Sequence, residues 1–506
     1  MSAFLRVLRS PGATRDVVAS ATTQYPDASK PGSERAVTDV PGYTVKAKSG
    51  LLDRGLDYVV HASGSAPVFI FIQSLLLAWA FLGIPFHKTT IWPVVISDAQ
   101  AIFSYIFDSF LMRQQLNGYN ENLTVVAEVR SRSRSTKRML EIVTNQLDGN
   151  VQQIARAMES QPLIEVQLPK ESFFTKCITW SANALGSILF VVFYWACIFV
   201  WLGLGPLNGW SNQWQLDINS ATSALMVFIF SFLAILRERH TDYLRSCLDA
   251  IYRVDGLLEI KLRQMTGDEI PNDETIIPSL KINVIQRAIT YYADVVGTLV
   301  GIALLVIVLI VWACIGPALH FNANWWLLIG TYAGLIGLND GFILRNMQAL
   351  HRRHEDPVFR AIETEDDELF KSLGLPSSTE VPVQTTTMSY KVSERMNRIC
   401  GHEVTVLLGV ILLVALLVGA SIMHWSETGQ LICNIPPSII ESFFMVILIT
   451  GHNASDKLRR IDMQNLFERR RMLLAFVGAT EDWLKGNSKF GQTTEVLADE
   501  RVYVCV

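Results

Sequence analysis

Long uncharged apolar blocks alternate with polar, charged stretches along this chain. Eight blocks stand out, at residues 66–85, 92–112, 177–205, 214–236, 288–317, 326–344, 399–424 and 432–450. None holds a Lys or Arg. At a rise of about 1.5 Å per residue, each is long enough to cross about 30 Å of hydrocarbon as a helix. The pattern therefore predicts an all-α polytopic membrane protein with about eight transmembrane helices.

The links between blocks alternate in length. Short links at 86–91, 206–213, 318–325 and 425–431 pair the blocks into four helical hairpins, at 51–115, 173–238, 284–347 and 393–452. The links at 116–172, 239–283 and 348–392 are long and charged, as is the tail 453–506. Of 43 Lys and Arg residues, only Lys88 falls in a short link. That asymmetry predicts cytosolic termini and cytosolic long links, with the short links outside. Residues 1–50 are polar and Pro/Ser-rich and read as a disordered cytosolic segment. No apolar run follows Met1, so no cleavable leader is expected and the first span reads as a signal anchor. Residues 244–263 show apolar positions at helical spacing and read as a cytosolic packing helix. The stretch 374–388 reads as a loop.

Composition narrows the function classes. Half of the residues are hydrophobic and 18% are charged, which excludes a soluble enzyme or a disordered chain. A net charge of −4 gives no electrostatic basis for bulk nucleic-acid binding. Seven cysteines without CxxC spacing do not make a disulfide framework. No Walker A, GxSxG or HExxH motif and no TVGYG filter occurs. Neither an enzyme nor a bound cofactor is expected.

The hairpins repeat one another. In their first helices, His61-Ala-Ser-Gly, Asn183-Ala-Leu-Gly and Asp294-Val-Val-Gly align, and His402 is the looser fourth member. In their second helices, Asp108-Ser-Phe-Leu matches Asp340-Gly-Phe-Ile, Glu441-Ser-Phe-Phe and Phe230-Ser-Phe-Leu. Positions four and eight residues earlier share that helix face. In hairpin 1 the face reads Gln100, Ser104, Asp108, and eight residues before the acid the four repeats offer Gln100, Thr222, Tyr332 and Cys433. By helical rise Asp108 lies about 24 Å below the outer end of its block, and Asp98 about 9 Å.

An ionisable group at mid-bilayer costs at least about 2.5–3.5 kcal/mol, so it normally faces a bundle interior or water and marks a pathway. Three acids at one repeat position, with no Lys or Arg inside the spans, point to a cation as their partner. Carboxylate, imidazole and amide groups together suit a borderline divalent metal. The candidate metal-ligating residues are Asp98 and Gln100 high in the membrane, Asp108, Asp340 and Glu441 low, and His61, Asp294 and His402 at the inner mouth. Blander readings compete. The acids could be neutral and hydrogen-bonded between helices, or paired with Arg113 and Arg345. The inner-mouth residues could be helix caps. Trp92, Trp214, Trp325, Trp326 and Trp425 read as an interfacial aromatic belt.

The run from Asp98 to Gln115, DAQAIFSYIFDSFLMRQQ, resembles the second span of the fungal low-affinity iron permeases. The second hairpin, from WQLDIN at 214–219 through LLEIK at 257–261, resembles the single-hairpin bacterial members of that family. The resemblance implies a plasma-membrane carrier of ferrous iron that also admits zinc, copper and other divalent metals. It brings no settled binding site, so the candidate residues rest on the repeat. Phe230 departs from the acidic pattern. The expected function is low-affinity divalent-metal uptake without ATP. A doubly charged ion gains about 4.6 kcal/mol per 100 mV from an inside-negative potential. A channel for another ion and a non-transporting scaffold or sensor remain the alternatives. The partners implied are the lipid bilayer and divalent metal ions, and the sequence leaves open whether copies form a homo-oligomer.

Overall fold

A computed structural model describes residues 15–26, 37–46, 48, 50–86, 89, 91–147, 150–158, 168–376 and 388–502. His87, at the first short link, and most of the 374–388 loop lie outside the described residues.

One architectural unit occurs four times: a short amphipathic helix, a sharp break, an apolar span, and a very long second helix. Unit 1 holds α1 (Leu51–Ser63), α2 (Ala66–Phe86) and α3 (Ile91–Gln146), followed by a short α4 (Val151–Met158). Unit 2 holds α5 (Phe173–Leu185), α6 (Ile188–Leu204) and α7 (Asn212–Thr266). Unit 3 holds α8 (Val284–Val296), α9 (Leu299–Ile315) and α10 (Ala323–Ser372). Unit 4 holds α11 (Met388–Cys400), α12 (Glu403–Ile422) and α13 (Glu427–Val502). Six helices are individually long and apolar enough to cross a membrane, and the bent pairs α5–α6 and α8–α9 bring the spans to eight. The chain is an all-α multi-pass membrane protein.

The blocks 177–205 and 288–317 are not single straight helices. They bend by 54° and 69° at Gly186 and Gly297. The same Gly-then-cap sequence occurs at Gly64-Ser65, Gly186-Ser187, Gly297-Thr298 and Gly401-His402. The residue after the glycine starts the span: Ser187 accepts from the Phe190 amide, Thr298 from Val300, and the His402 ring from Val404. The helix ahead of each break is amphipathic, with its polar side free to lie at the membrane surface.

The second spans and the helical links behind them are continuous. α3 runs 56 residues, about 84 Å, through its membrane span and well beyond it. The packing helix expected at 244–263 is the inner half of α7.

The four long helices form one ring. α3 packs against α7 and α10, and α13 packs against the same two, so α3 faces α13 across an axis. The order around the ring is unit 1, 2, 4, 3. Each break glycine packs on the long helix of the next unit. Gly64 lies against Ala234 and Glu238, Gly186 against Thr450 and Asn453, Gly297 against Arg113 and Leu116, and Gly401 against Arg345 and Ala349. A Cβ at these glycines would stand 2.5–3.2 Å from the nearest of those neighbours, tighter than ordinary van der Waals contact.

A broken helix leaves carbonyls without partners, which is costly in an apolar setting. The neighbouring long helix supplies the donors. Arg113 donates to the Gly297 carbonyl, Thr450 to Gly186, Asn453 to Ala182, Asn346 to Gly401 and Arg345 to Asn397.

Beyond the membrane spans the long helices share a second core. Leu123, Val126, Leu140, Leu258, Phe467 and Phe476 are among its fully buried members. Part of the N-terminal segment, read from sequence as disordered, is ordered against it. Val17–Ala19 pairs antiparallel with Thr275–Ile277, and Val40 is buried in that core.

Candidate functional site

The acidic repeat position falls inside the ring, within the membrane. Asp108, Asp340 and Glu441 are all buried, and their charges act directly on one another. Asp108 and Glu441 come from helices on opposite sides of the axis, so both point inward. Phe230 closes the fourth corner, fully buried, with its ring 6.5 Å from that of Phe107. Tyr292 donates to Asp340 Oδ1 at 2.6 Å. Among the described residues, both oxygens of Asp108, both of Glu441 and Oδ2 of Asp340 have no hydrogen-bond partner. A buried acceptor without a donor is a cost that a fold does not normally leave standing.

The basic residues do not neutralise these acids. Arg113 is bound to Asp57 at 2.6 Å and to Asp53 at 3.4 Å. Arg345 is held by Gln348 and the Asn397 carbonyl. Both serve the broken helices, so the reading in which they cap the carboxylates fails.

A second polar layer lies nearer the short links. Asn219 donates to Ser97 Oγ at 2.7 Å. Gln100 donates to Ser104 at 2.6 Å and accepts from Ser223 at 3.3 Å. Asn434 from α13 lies against Gly330 of α10. Pro437 removes the amide that would bond the Cys433 carbonyl, and that oxygen faces Gly334. Amide, hydroxyl and carbonyl oxygens thus lead down to the carboxylates. Asp108, Asp340 and Glu441, expected at one repeat position, are all buried within the ring, and Gln100 lies in the separate polar layer two turns along α3 from Asp108.

Other expected residues fall elsewhere. Asp98 is buried with Oδ2 unpartnered, and it makes no contact with the three acids among the described residues. The layer of Gln100, Thr222, Tyr332 and Cys433 is not uniform. The Thr222 hydroxyl bonds its own helix at Ile218, and the Cys433 thiol donates to the Leu416 carbonyl. His402 is the N-cap of α12, and the residue matching His61, Asn183 and Asp294 is Arg398. Asp294 lies on α8, half-buried outside the ring. His61 sits on α1, bonded to Glu238 of α7 at a unit interface. His61 and Asp294 therefore do not line the axis directly beneath the acids.

Trp92, Trp214 and Trp325, read from sequence as interfacial tryptophans, are held in pairs. Each stacks on a tryptophan of the preceding span: Trp79–Trp92 at 4.5 Å, Trp201–Trp214 at 4.0 Å and Trp312–Trp325 at 4.3 Å. In the first and third clasps each indole also donates to the other's carbonyl. The constant separation of thirteen residues is the signal that could have found it.

Among the described residues, the one trio of carboxylates and imidazoles whose ligand atoms lie within 4.8 Å of one another is His61, Glu238 and Asp242. The acid layer is therefore wider than a closed metal cage.

The family model for the low-affinity iron permeases matches residues 174–259 and 389–484, which are units 2 and 4. A low-affinity iron/zinc ion transport protein of Schizosaccharomyces pombe is 35% identical over 423 residues, 83% of this chain and 72% of that protein. A low-affinity Fe(2+) transport protein of Saccharomyces cerevisiae is 33% identical over 474 residues, 87% of this chain and 86% of that protein. The chain belongs to the low-affinity iron permease family. The two separate matches to one model agree with the internal repeat. No solved structure matches the chain. The family consists of transporters, not enzymes.

Proposed function

We propose that this chain carries ferrous iron, and with lower discrimination zinc, copper and manganese, across the plasma membrane into the cytosol at low affinity. The observation that carries the reading is the layer of Asp108, Asp340 and Glu441. Three buried carboxylates share one level of a closed ring and have no cationic side chain among them. A passing divalent cation supplies the missing partner, and Gln100, Ser104 and Asn219 offer it neutral oxygens on the way.

Low affinity follows from the same geometry. The carboxylates do not converge into a cage, and Phe230 leaves one corner without a ligand. An ion held loosely can leave again. The inside-negative potential provides the driving force without ATP. The cytosolic placement of both termini, inferred from the Lys/Arg distribution, fits this direction of movement.

The test is uptake of radiolabelled ferrous iron by metal-starved cells lacking their own transporters. Saturable uptake that zinc competes away and that falls when the membrane potential is collapsed supports the reading. Ohmic currents with no divalent preference would instead mark a channel for another ion.

A further inference from the structure

Below the acid layer the axis is closed. The cytosolic core fills it, and Arg470 sits there fully buried between Asp366 at 3.1 Å and Asp255 at 3.5 Å. A cation that passes the carboxylates has no straight way on.

Two cavities lie between the acids and this plug. The inner one, about 180 Å³, touches all four long helices and is lined by His240, His351 and His452. His240 Nδ1 lies 2.7 Å from His452 Nε2 and 3.3 Å from Asp456 Oδ1. Burial, aided by Arg460, pushes His240 down to about 3, and burial with His354 does the same for His351. His240 Nε2 and His351 Nδ1 are buried without a hydrogen-bond partner among the described residues. The outer cavity, about 480 Å³, lies beside it and is bordered by exposed residues such as Arg54 and Asn120. The two share Gln114, Gly118 and Glu121 of α3 and Thr241 and Arg245 of α7 as a common wall. The wall is held by the Glu121–Arg245 ion pair at 2.8 Å.

His61 and Glu238, which line the outer cavity, belong with Asp242 to the one group of carboxylates and imidazole close enough to share a metal ion among the described residues. His61 reaches over from α1 to Glu238, and Asp242 stands one turn further along α7. The equivalents of His61 in the other units are Asn183, Asp294 and Arg398, so this interface differs from the other three.

We propose that the cation leaves the ring sideways, through the seam between α3 and α7, and that His61, Glu238 and Asp242 form its last binding site before the cytosol. One imidazole and two carboxylates suit Fe(II), Mn(II) or Zn(II). The route rests on the transport reading above, whereas the site can be tested without transport.

The experiment is a Mn(II) titration of the full-length purified protein followed by electron paramagnetic resonance, with iron uptake measured in parallel. The double variant His61→Ala/Asp242→Asn is expected to bind Mn(II) at this site at least about tenfold more weakly. It is also expected to lose most uptake. Asp108→Asn is expected to lose uptake while retaining the site. A His61→Cys variant should keep metal binding but shift it toward Cd(II), which a merely misfolded protein would not do. Unchanged Mn(II) stoichiometry and affinity in the double variant would overturn the site. Normal uptake in that variant would overturn the route. A wild-type protein that takes up no iron would count against the transport reading instead, and the Mn(II) titration would still decide the site.

Discussion

Gly337 of α10 leaves the space in which the carboxylate of Glu441 lies. A Cβ at Gly337 would stand 2.5 Å from Glu441 Oε1 and 2.6 Å from Oε2. The helix contact that closes the ring is thus shaped around an acid that faces across it. Gly337→Ala removes about 0.5–1 kcal/mol of helix penalty but drives the carboxylate aside. The expected outcome is iron uptake with a KM raised several-fold and thermal stability close to wild type. Wild-type KM in this variant would mean that Glu441 does not meet the ion.

Tyr292 holds Asp340 by one oxygen and leaves the other free. Tyr292→Phe removes a hydrogen bond worth about 1.5–3 kcal/mol when its acceptor is ionised. Asp340 keeps its charge but loses its fixed orientation. Uptake is expected to fall severalfold at limiting iron and to recover at saturating iron. Asp340→Asn in the same assay is expected to lose uptake at every iron concentration.

The tryptophan clasps tie the short-link ends of three hairpins. Trp312→Ala deletes a stacked ring and the hydrogen bond from the Trp312 indole to the Trp325 carbonyl, while the 312 carbonyl that accepts from Trp325 remains. A loss of about 3–5 kcal/mol is the usual scale for a large buried aromatic. Detergent-solubilised protein should melt several degrees lower, with Trp312→Phe intermediate. A belt residue facing lipid would show no such loss.

His240 gives a pH signature. Its ordinary value is 6.5, and burial takes it to about 3 in the fold. Between those values the unfolded chain binds a proton that the folded one refuses, so this contribution to stability is lost as pH falls from about 6.5 toward 3. Other groups titrate in the same range, so the difference between wild type and His240→Gln is the quantity to measure. Thermal melts should show the variant losing less stability than wild type on acidification through that window. Parallel curves would exclude a buried neutral His240.

The spans and the acid layer were legible in the sequence because each follows from local periodicity. Blocks without Lys or Arg had to be membrane helices, and a repeat places equivalent residues at equivalent depth. That put Asp108, Asp340 and Glu441 at one level before any neighbour was known. What depends on contacts between units was not legible. The ring order of 1, 2, 4, 3 has no trace in local pattern, so neither the pairing of His61 with Glu238 nor that of Arg113 with the Gly297 carbonyl could be read. His402 was misaligned because its histidine mimics His61, while the break is marked by Gly401 just before it. His240 and His351 lie in what reads as soluble links, and His452 at the very end of the fourth hairpin, because a 55- or 76-residue helix carries no mark where the membrane ends and the chamber begins.

The most direct test of the central claim compares ferrous uptake by wild type, Asp108→Asn and Glu441→Gln at matched surface expression. Each substitution keeps the side chain's size and removes its charge. The carboxylate layer predicts saturable uptake in wild type and loss of at least about 90% in both variants, since the buried charge is what favours a cation there. Wild-type uptake in both variants would contradict the account and return the three acids to the role of hydrogen-bonding groups between helices.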